Sequence, residues 1–423
     1  MTFLCLDVGS TWTKGALVGA DGSLLGAAQH ETTPPEVLQG IAAVTAALGA
    51  ADAEVLACSS AGGGLRLAVV GQERLVSAEA GYRVALSAGA KVVHVSAGPL
   101  SNVRDLRASS PDVVLLVGGT DGGDEKVLLH NASLLGRNRV TAPVVLAGNA
   151  AAQPAALDLL AGRTVVPTAN VLPDVGELAP DPARAAIRDV FLAHVIGGKG
   201  LSRGPRFRDL VRTVTPDAVL SGVATLAAQE EDGAVLVVDV GGATTDVYSA
   251  VSTVDDDTPA STVALPPDRR TVEGDIGMRV SAPGVIAEAV AERLLSDGDP
   301  LAAEAFYRNE NVDFVPVAPA ARAADLRIAE LAATLAIRRH LRMVGGRLGP
   351  KGAGILVLSG GVFRHATPEG LTEVEKALRT NLGALLREAR VVVDHDGRLG
   401  PAGLLAQAGR AEVAAKLVAG LVH

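Results

Sequence analysis

Along the chain, short apolar runs rich in valine and leucine alternate with longer Ala/Leu stretches, so that a strand period and a helix period take turns. That alternation predicts α/β architecture. Residues 2–8 and 15–18 read as two strands joined by a tight turn at 9–14. Asp21-Gly22 marks a further hairpin, since Asp-Gly suits a type I′ turn. Residues 35–48 have helical spacing, and 53–59 read as the next strand. Strands at 92–95, 113–117, 144–146 and 165–166, with helices at 78–88 and 153–160, make 65–180 a βαβ-rich segment. A helix over 180–194 is opened by Asp181 and Pro182.

At 234–240 the opening pattern returns: an apolar strand, a Gly/Thr turn and a second strand at 245–251. The repeat predicts an internal duplication. Helices at 285–295, 323–343 and 371–387, strands at 355–358 and 391–393, and a closing helix at 403–418 complete the second half. Residues 197–206, Gly-rich and basic through Lys199, Arg203 and Arg206, read as a mobile loop. Asp255, Asp256 and Asp257, with Pro259 and Ser261, read as a solvated one. A first domain is therefore expected over 1–225, carrying an insert at about 65–180, and a second over 226–400. The remainder, 401–423, is expected to return to the first domain.

Composition narrows the function classes. Aromatic residues make up only 2% beside 48 glycines, so cores must be packed with Ala, Val and Leu, and some glycines need a backbone reason. A formal charge of −9 excludes a uniformly basic surface and with it a general nucleic-acid binder. The 48% hydrophobic content excludes intrinsic disorder. Cys5 and Cys58, both in strand-like runs, make neither a disulfide framework nor a zinc site and point to a reducing cytosol. Mean hydropathy is +0.31, yet no apolar stretch of about 18 residues runs unbroken, and Asp7 interrupts the first one. A soluble cytoplasmic protein without a signal peptide is expected.

Three glycine turns carry the candidate chemistry. Asp7-Val8-Gly9-Ser10-Thr11-Trp12-Thr13-Lys14 and Asp239-Val240-Gly241-Gly242-Ala243-Thr244-Thr245-Asp246 each end a buried strand with a carboxylate. Small residues follow whose N–H groups can face an anion. A carboxylate repels phosphate but suits a hydrated Mg2+ that bridges two phosphates, and Lys14 adds a compensating positive charge. One such hairpin is a common structural turn; two near-equivalent ones about 230 residues apart signal a repeated function. The third turn, Ser359-Gly360-Gly361-Val362-Phe363, lets backbone approach a flat or anionic ligand.

These residues resemble the ASKHA superfamily, which includes actin, the heat-shock chaperone ATPase domain, and the sugar and acetate kinases. The resemblance implies a duplicated actin-like ATPase fold, ribonuclease H-like in each half, forming a two-domain clamp with a nucleotide cleft. The first turn is similar to its phosphate-1 motif, implying that Asp7 serves catalysis and metal while Gly9, Ser10, Thr11, Thr13 and Lys14 serve the nucleotide. The second is similar to phosphate-2, with Asp239 in the same double role, Asp246 on the metal, and Gly241, Gly242, Ala243 and Thr244 on the nucleotide. The third is similar to the adenosine motif, through Gly360, Gly361 and Val362. Residues 218–226 and 400–407 would be the connecting helices. ATP and Mg2+ are the cofactors implied.

Three further segments resemble the MutL/GlmL family associated with adenosylcobalamin-dependent glutamate mutase. They are Ser59-Ser60-Ala61-Gly62-Gly63-Gly64-Leu65, PDVVLLVGGTDGG at 111–123 and RTVEGDIGMR at 270–279. The family is itself similar to the hydantoinase/oxoprolinase branch. It implies an accessory ATPase or chaperone whose partner is the mutase. The βαβ segment at 65–180 is extra relative to a minimal clamp and is expected to carry the partner surface. A small-molecule kinase, a hydantoinase/oxoprolinase-like amidohydrolase and an actin-like scaffold stay open.

Three other groups are candidates. Gly119, Thr120 and Asp121 form either an anion nest with a carboxylate for the attacking water or a Gly-rich turn with solvated Asp residues. Glu273 is either a general base or part of a charged hairpin cap. Arg338, Arg339 and His340 share one helix; the superfamily places a cation such as Arg339 against adenine, and the bland alternative is a basic C-terminal turn. His30, His94, His130, His194, His365 and His395 lack metal-ligand spacing.

Overall fold

The computed structural model describes residues 1–9, 11–61, 65–73, 77–88, 90–175, 177–196, 206–230, 234–251, 268–344, 348 and 352–422. Ser10, the glycines at 62–64, the basic loop at 197–205 and the acidic loop with Pro259 and Ser261 lie outside the described residues.

β1 (Thr2–Val8), β2 (Trp12–Gly19) and β3 (Leu24–Glu31) form an antiparallel meander. After α1 (Leu38–Ala47), β4 (Glu54–Ser59) lies parallel beside β1. The first turn is shorter than the sequence suggests. β2 begins at Trp12, so Thr13 and Lys14 are strand residues, Thr13 on the buried face and Lys14 on the exposed face opposite Asp7.

The chain then builds a separate parallel sheet from β5 (Arg66–Gly71), α2 (Ser77–Ser87), β6 (Lys91–Ala97), α3 (Arg104–Ala108), β7 (Val113–Leu116), α4 (Lys126–Arg137), β8 (Val144–Leu146), α5 (Gln153–Leu159), β9 (Val165–Pro167) and α6 (Asp181–Val190). Its strand order is β6-β5-β7-β8-β9, a doubly wound arrangement. Alternation along β7 covers both faces. Val113 and Leu115 pack with Val84 of α2 and Ile187 of α6, whereas Val114 and Leu116 pack with Leu106 of α3, Leu128 of α4 and Ala156 of α5. The first of these clusters also holds Leu4, Leu6 and Val8, so this sheet shares a core with β1. α7 (Arg206–Leu210) leads to β10 (Val211–Val214), parallel to β4, which completes the order β10-β4-β1-β2-β3.

The second half runs α8 (Thr215–Ala227), β11 (Ala234–Val240), β12 (Thr245–Val251), β13 (Asp268–Glu273), α9 (Ala282–Ala291), α10 (Leu301–Glu310), α11 (Pro319–Met343), β14 (Ala353–Ser359), α12 (Gly361–Arg364), α13 (Pro368–Leu382), β15 (Arg390–Val393), α14 (Leu399–Gln407) and α15 (Ala411–Val422). Its sheet has the order β13-β12-β11-β14-β15. Numbered within each sheet, both read third, second, first, fourth, fifth, with an antiparallel first pair and parallel later strands. The duplication therefore extends from two hairpins to two whole sheets of the actin-like, ribonuclease H-like kind.

Several elements were absent from the sequence expectation, among them β5, β10, β13, α4 and α10. β13 is the instructive one: four of the six residues of DRRTVE are charged, and Asp268, Arg269, Arg270 and Glu273 are all buried. The expected closing helix is two helices, parted at Gly409, whose φ is +76°.

By compactness the chain divides into two units. One comprises Met1–Ser221, Asp256–Arg269 and Gly400–Ala414; the other comprises Gly222–Asp255, Arg270–Leu399 and Ala415–His423. No helix among the described residues is long and apolar enough to cross a membrane.

Candidate functional site

In the first unit, Gly9 N–H donates to the Trp12 carbonyl at 2.9 Å, and a Cβ at Gly9 would lie 2.8 Å from that oxygen. Thr32 holds the turn from outside, donating its hydroxyl to the Gly9 carbonyl at 2.8 Å and its N–H to the Thr11 carbonyl at 2.8 Å. Thr13 does not face a ligand: its hydroxyl is buried against that of Thr32 at 3.1 Å. Asp7 Oδ1 accepts from the Thr215 hydroxyl at 2.5 Å and from Cys58 Sγ at 3.7 Å. Burial pushes the Asp7 carboxyl above the usual carboxylate range, while Thr215, Lys14 and Cys58 pull it part of the way back. Cys5 and Cys58 are free and buried, and burial raises the Cys5 thiol to about 12.

In the second unit the same turn recurs. Gly241 N–H donates to the Thr244 carbonyl at 2.9 Å, and a Cβ at Gly241 would lie 2.9 Å from that oxygen. Asp239 occupies the register position of Asp7, opposite Asp246 as Asp7 is opposite Lys14. The RTVEGDIGMR segment covers this turn. Met278 N–H donates to Gly241 O at 3.1 Å, Arg279 and Val280 N–H to Gly242 O at 2.7 and 2.9 Å, and Ser281 Oγ to Ala243 O at 3.0 Å. Gly277 is required there, because a Cβ would sit 2.4 Å from the Ala243 carbonyl carbon. Three successive carbonyls are thus occupied, whereas the N–H groups of Gly242, Ala243 and Thr244 have no acceptor among the described residues. That is the polarity of an anion nest.

The third turn abuts the second. Gly360 has φ +116°, and a Cβ on it would lie 2.5 Å from the Val240 carbonyl oxygen, whereas Gly361 has nothing within 4 Å. Val362 follows in α12, behind which Phe363 is buried.

Other candidates are engaged elsewhere. Asp246, expected as a metal ligand, is ion-paired with Arg270, whose Nε and Nη2 lie 2.9 and 2.5 Å from Oδ1. Arg339, expected against adenine, bonds Glu273 at 3.0 Å, Asp275 at 2.7 Å and Glu288 at 3.1 Å. Burial raises the Glu273 carboxyl, and Arg339 opposes the rise. His340 is fully buried between Ser249 Oγ at 2.9 Å and Thr271 Oγ1 at 3.0 Å, and Gly345-Gly346 beyond it lie outside the described residues.

Gly119, Thr120 and Asp121 follow β7 on the inserted sheet. Asp121 Oδ1 accepts from Ala150 N–H at 2.8 Å and Asn170 Nδ2 at 2.9 Å, while Asn149 Oδ1 accepts from Gly122 N–H at 3.0 Å. Its carboxylate therefore organises the loop. Gly119, with φ +70°, could not carry a Cβ without meeting Asp124 O at 2.4 Å.

Thr215 was not singled out from sequence. Its Thr-Pro-Asp context signals only a helix start. Nor was Asp217, whose Oδ2 is shared by Arg188, Thr213 and Gln407, nor the buried Thr245 hydroxyl, which has no partner among the described residues.

The MutL protein family model matches residues 3–421 of the chain. The chain belongs to the MutL family. Protein MutL of Clostridium tetanomorphum is 35% identical over 376 residues, covering 83% of this chain and 81% of that protein. Looser likenesses are to nucleotide-free acetone carboxylase (14% identity, TM-score 0.42, 96% of this chain and 70% of that one). A ROK-family glucokinase of Streptomyces griseus, solved with glucose and AMPPNP, is similar at 12% identity and TM-score 0.40, over 96% of this chain and 99% of that one. Likeness at this level says nothing about chemistry, and the fold assignment of this MutL-family chain rests on the strand order of its two repeated sheets.

Proposed function

We propose that this MutL-family chain binds and hydrolyses Mg-ATP, and that it serves an adenosylcobalamin-dependent mutase such as glutamate mutase as an accessory protein of the chaperone or reactivase kind. The observation that supports this most directly is the second hairpin, whose carbonyls are occupied by residues 278–281 while its amides are left for an anion. The first hairpin repeats its closing hydrogen bond.

No cluster of three or more His, Cys, Asp or Glu able to hold a metal occurs among the described residues. Such a cluster is not needed for Mg2+ that arrives with a nucleotide, because phosphates and water supply most of its ligands and one or two carboxylates suffice. Asp7 and Asp239 are each a candidate carboxylate for the ion, which would neutralise charge on the phosphates. Asp246 is left out of this set because Arg270 occupies it. Glu273, its carboxyl raised by burial and its strand running into the 278–281 cover, is the candidate general base for water. Gly360, Gly361 and Val362 are the candidate nucleoside contact.

An ATPase assay with and without purified mutase tests this reading. Stimulation of turnover by the mutase supports it. Loss of neither binding nor turnover in Asp7→Ala or Asp239→Ala sinks the nucleotide assignment, and turnover that starts only with an added small amide or hydroxyl compound points to an enzyme acting on that compound.

A further inference from the structure

Large apolar side chains are exposed at close sequence spacing in the second unit: Val280, Phe306, Tyr307, Val312, Val315 and Val317, from 47% exposed at Val312 to 77% at Val317. In the inserted segment, by contrast, the exposed large hydrophobics Val95, Leu159 and Val175 sit singly, on β6, on α5 and in the turn before α6. The second-unit residues come from one stretch of chain, α10 and the segment that follows it, with Val280 held beside α10. The Tyr307 and Phe314 rings meet edge to face at 5.2 Å, and Asn309 Nδ2 donates to the Val280 carbonyl at 2.7 Å.

This surface is firmly mounted. Arg308 is fully buried beneath it, bonded to Asp325, to Glu304 at 2.5 Å and to the Ala321 carbonyl at 2.9 Å. Arg279 bonds Asp325 at 2.7 Å and the Phe314 carbonyl at 3.0 Å. Buried charge of this kind is costly unless fully paired. Here it fixes a segment whose outward side chains have nothing to cover them, and a preorganised apolar patch of this sort marks a docking site.

The rim decides the occupant. Around the patch Glu304, Glu310 and Asp313 are exposed, Arg308 is buried, and Arg322 is an exposed cation whose Nε donates to the Pro316 carbonyl at 3.4 Å, so that these residues leave the rim net acidic. A second copy docking through the same face would oppose carboxylate to carboxylate. We infer that the surface of α10 and the segment following it docks a different protein, one presenting an apolar patch rimmed by Lys or Arg. The same surface is bonded to the second hairpin, since Arg279 and Val280 N–H both donate to the Gly242 carbonyl. A shift of that turn when it takes or releases phosphate therefore reaches the docking face. This deepens the accessory-ATPase reading and rests on it.

The experiment compares full-length wild type with V315D/V317D and with E310K/D313K, all exposed positions. Binding to purified mutase subunits is measured in ATP and in ADP, with nucleotide affinity as the control. The expected result is at least tenfold weaker mutase binding by both variants, wild-type binding that differs between ATP and ADP, and unchanged nucleotide affinity. Wild-type binding retained in full by both variants overturns the docking site while leaving the accessory reading intact. Wild type that binds no mutase in either nucleotide overturns both. Concentration-dependent self-association that V315D/V317D abolishes overturns it in favour of a second copy.

Discussion

The hydroxyl of Thr215 donates to the carboxylate of Asp7 at 2.5 Å, joining the start of α8 to the end of β1 across 208 positions of sequence. This bond favours the ionised carboxylate against burial, which disfavours it. Thr215→Val therefore raises the Asp7 pKa further. Because a metal needs the ionised form, Mg-nucleotide binding should fail at a higher pH in Thr215→Val than in wild type as pH is lowered. Calorimetric binding across a pH series reads this directly; coincident midpoints would show that Thr215 has no hold on Asp7.

Asp7→Asn should separate function from stability. A carboxyl whose folded pKa lies above its unfolded value costs stability as pH rises from the unfolded to the folded pKa, and the cost persists above that window. At neutral pH the neutral Asn removes it. The variant is expected to melt at or above the wild-type temperature while losing nucleotide binding. A melting temperature clearly below wild type would mean that ionised Asp7 stabilises the fold.

Neighbouring glycines should behave differently. Gly360→Ala combines φ +116° with a 2.5 Å clash on the Val240 carbonyl and should cost about 1–3 kcal/mol in denaturant unfolding. Gly361→Ala meets nothing within 4 Å and should leave unfolding unchanged, so any loss of nucleotide affinity in it reports contact with the ligand.

Asp246 and Arg270 make a largely buried pair at 2.5 Å. Asp246→Ala strands the guanidinium and should destabilise by about 3–5 kcal/mol, with Mg2+ affinity per folded molecule little changed. A fully folded Asp246→Ala protein with lost Mg2+ affinity would restore this residue to the metal site.

Glu273→Gln keeps an acceptor for Arg339 but cannot take a proton. Turnover should fall by about 10²-fold or more while ATP affinity holds. Unchanged turnover would remove Glu273 as the base.

Much of the fold is legible in the sequence. Strands ended where apolar runs met glycine, as at Val8 and Val240, because backbone must turn where the buried run stops. The two hairpins were legible as a pair because the closing bond between Gly9 and Trp12, and between Gly241 and Thr244, is local and needs only the right residue types at short spacing. Charged elements were not legible. In the buried strand DRRTVE, Arg270 and Asp268 find their partners in Asp246 and Arg184, from elsewhere in the chain. Side-chain roles were blurred for the same reason: Asp246, Arg339 and Asp121 are plausible ligands by type, and each is claimed by a neighbour remote in sequence.

The sequence by itself determined the alternation of strands and helices, the duplication and the family, since these follow from local periodicity and short motifs. Only the tertiary structure decided which carboxylates are spoken for, that Thr215 donates to the buried Asp7, and that residues 278–281 occupy the second turn's carbonyls. The physical reason is that a charge or a hydrogen bond takes its meaning from its partner, and most of these partners are brought together only when the sheets close.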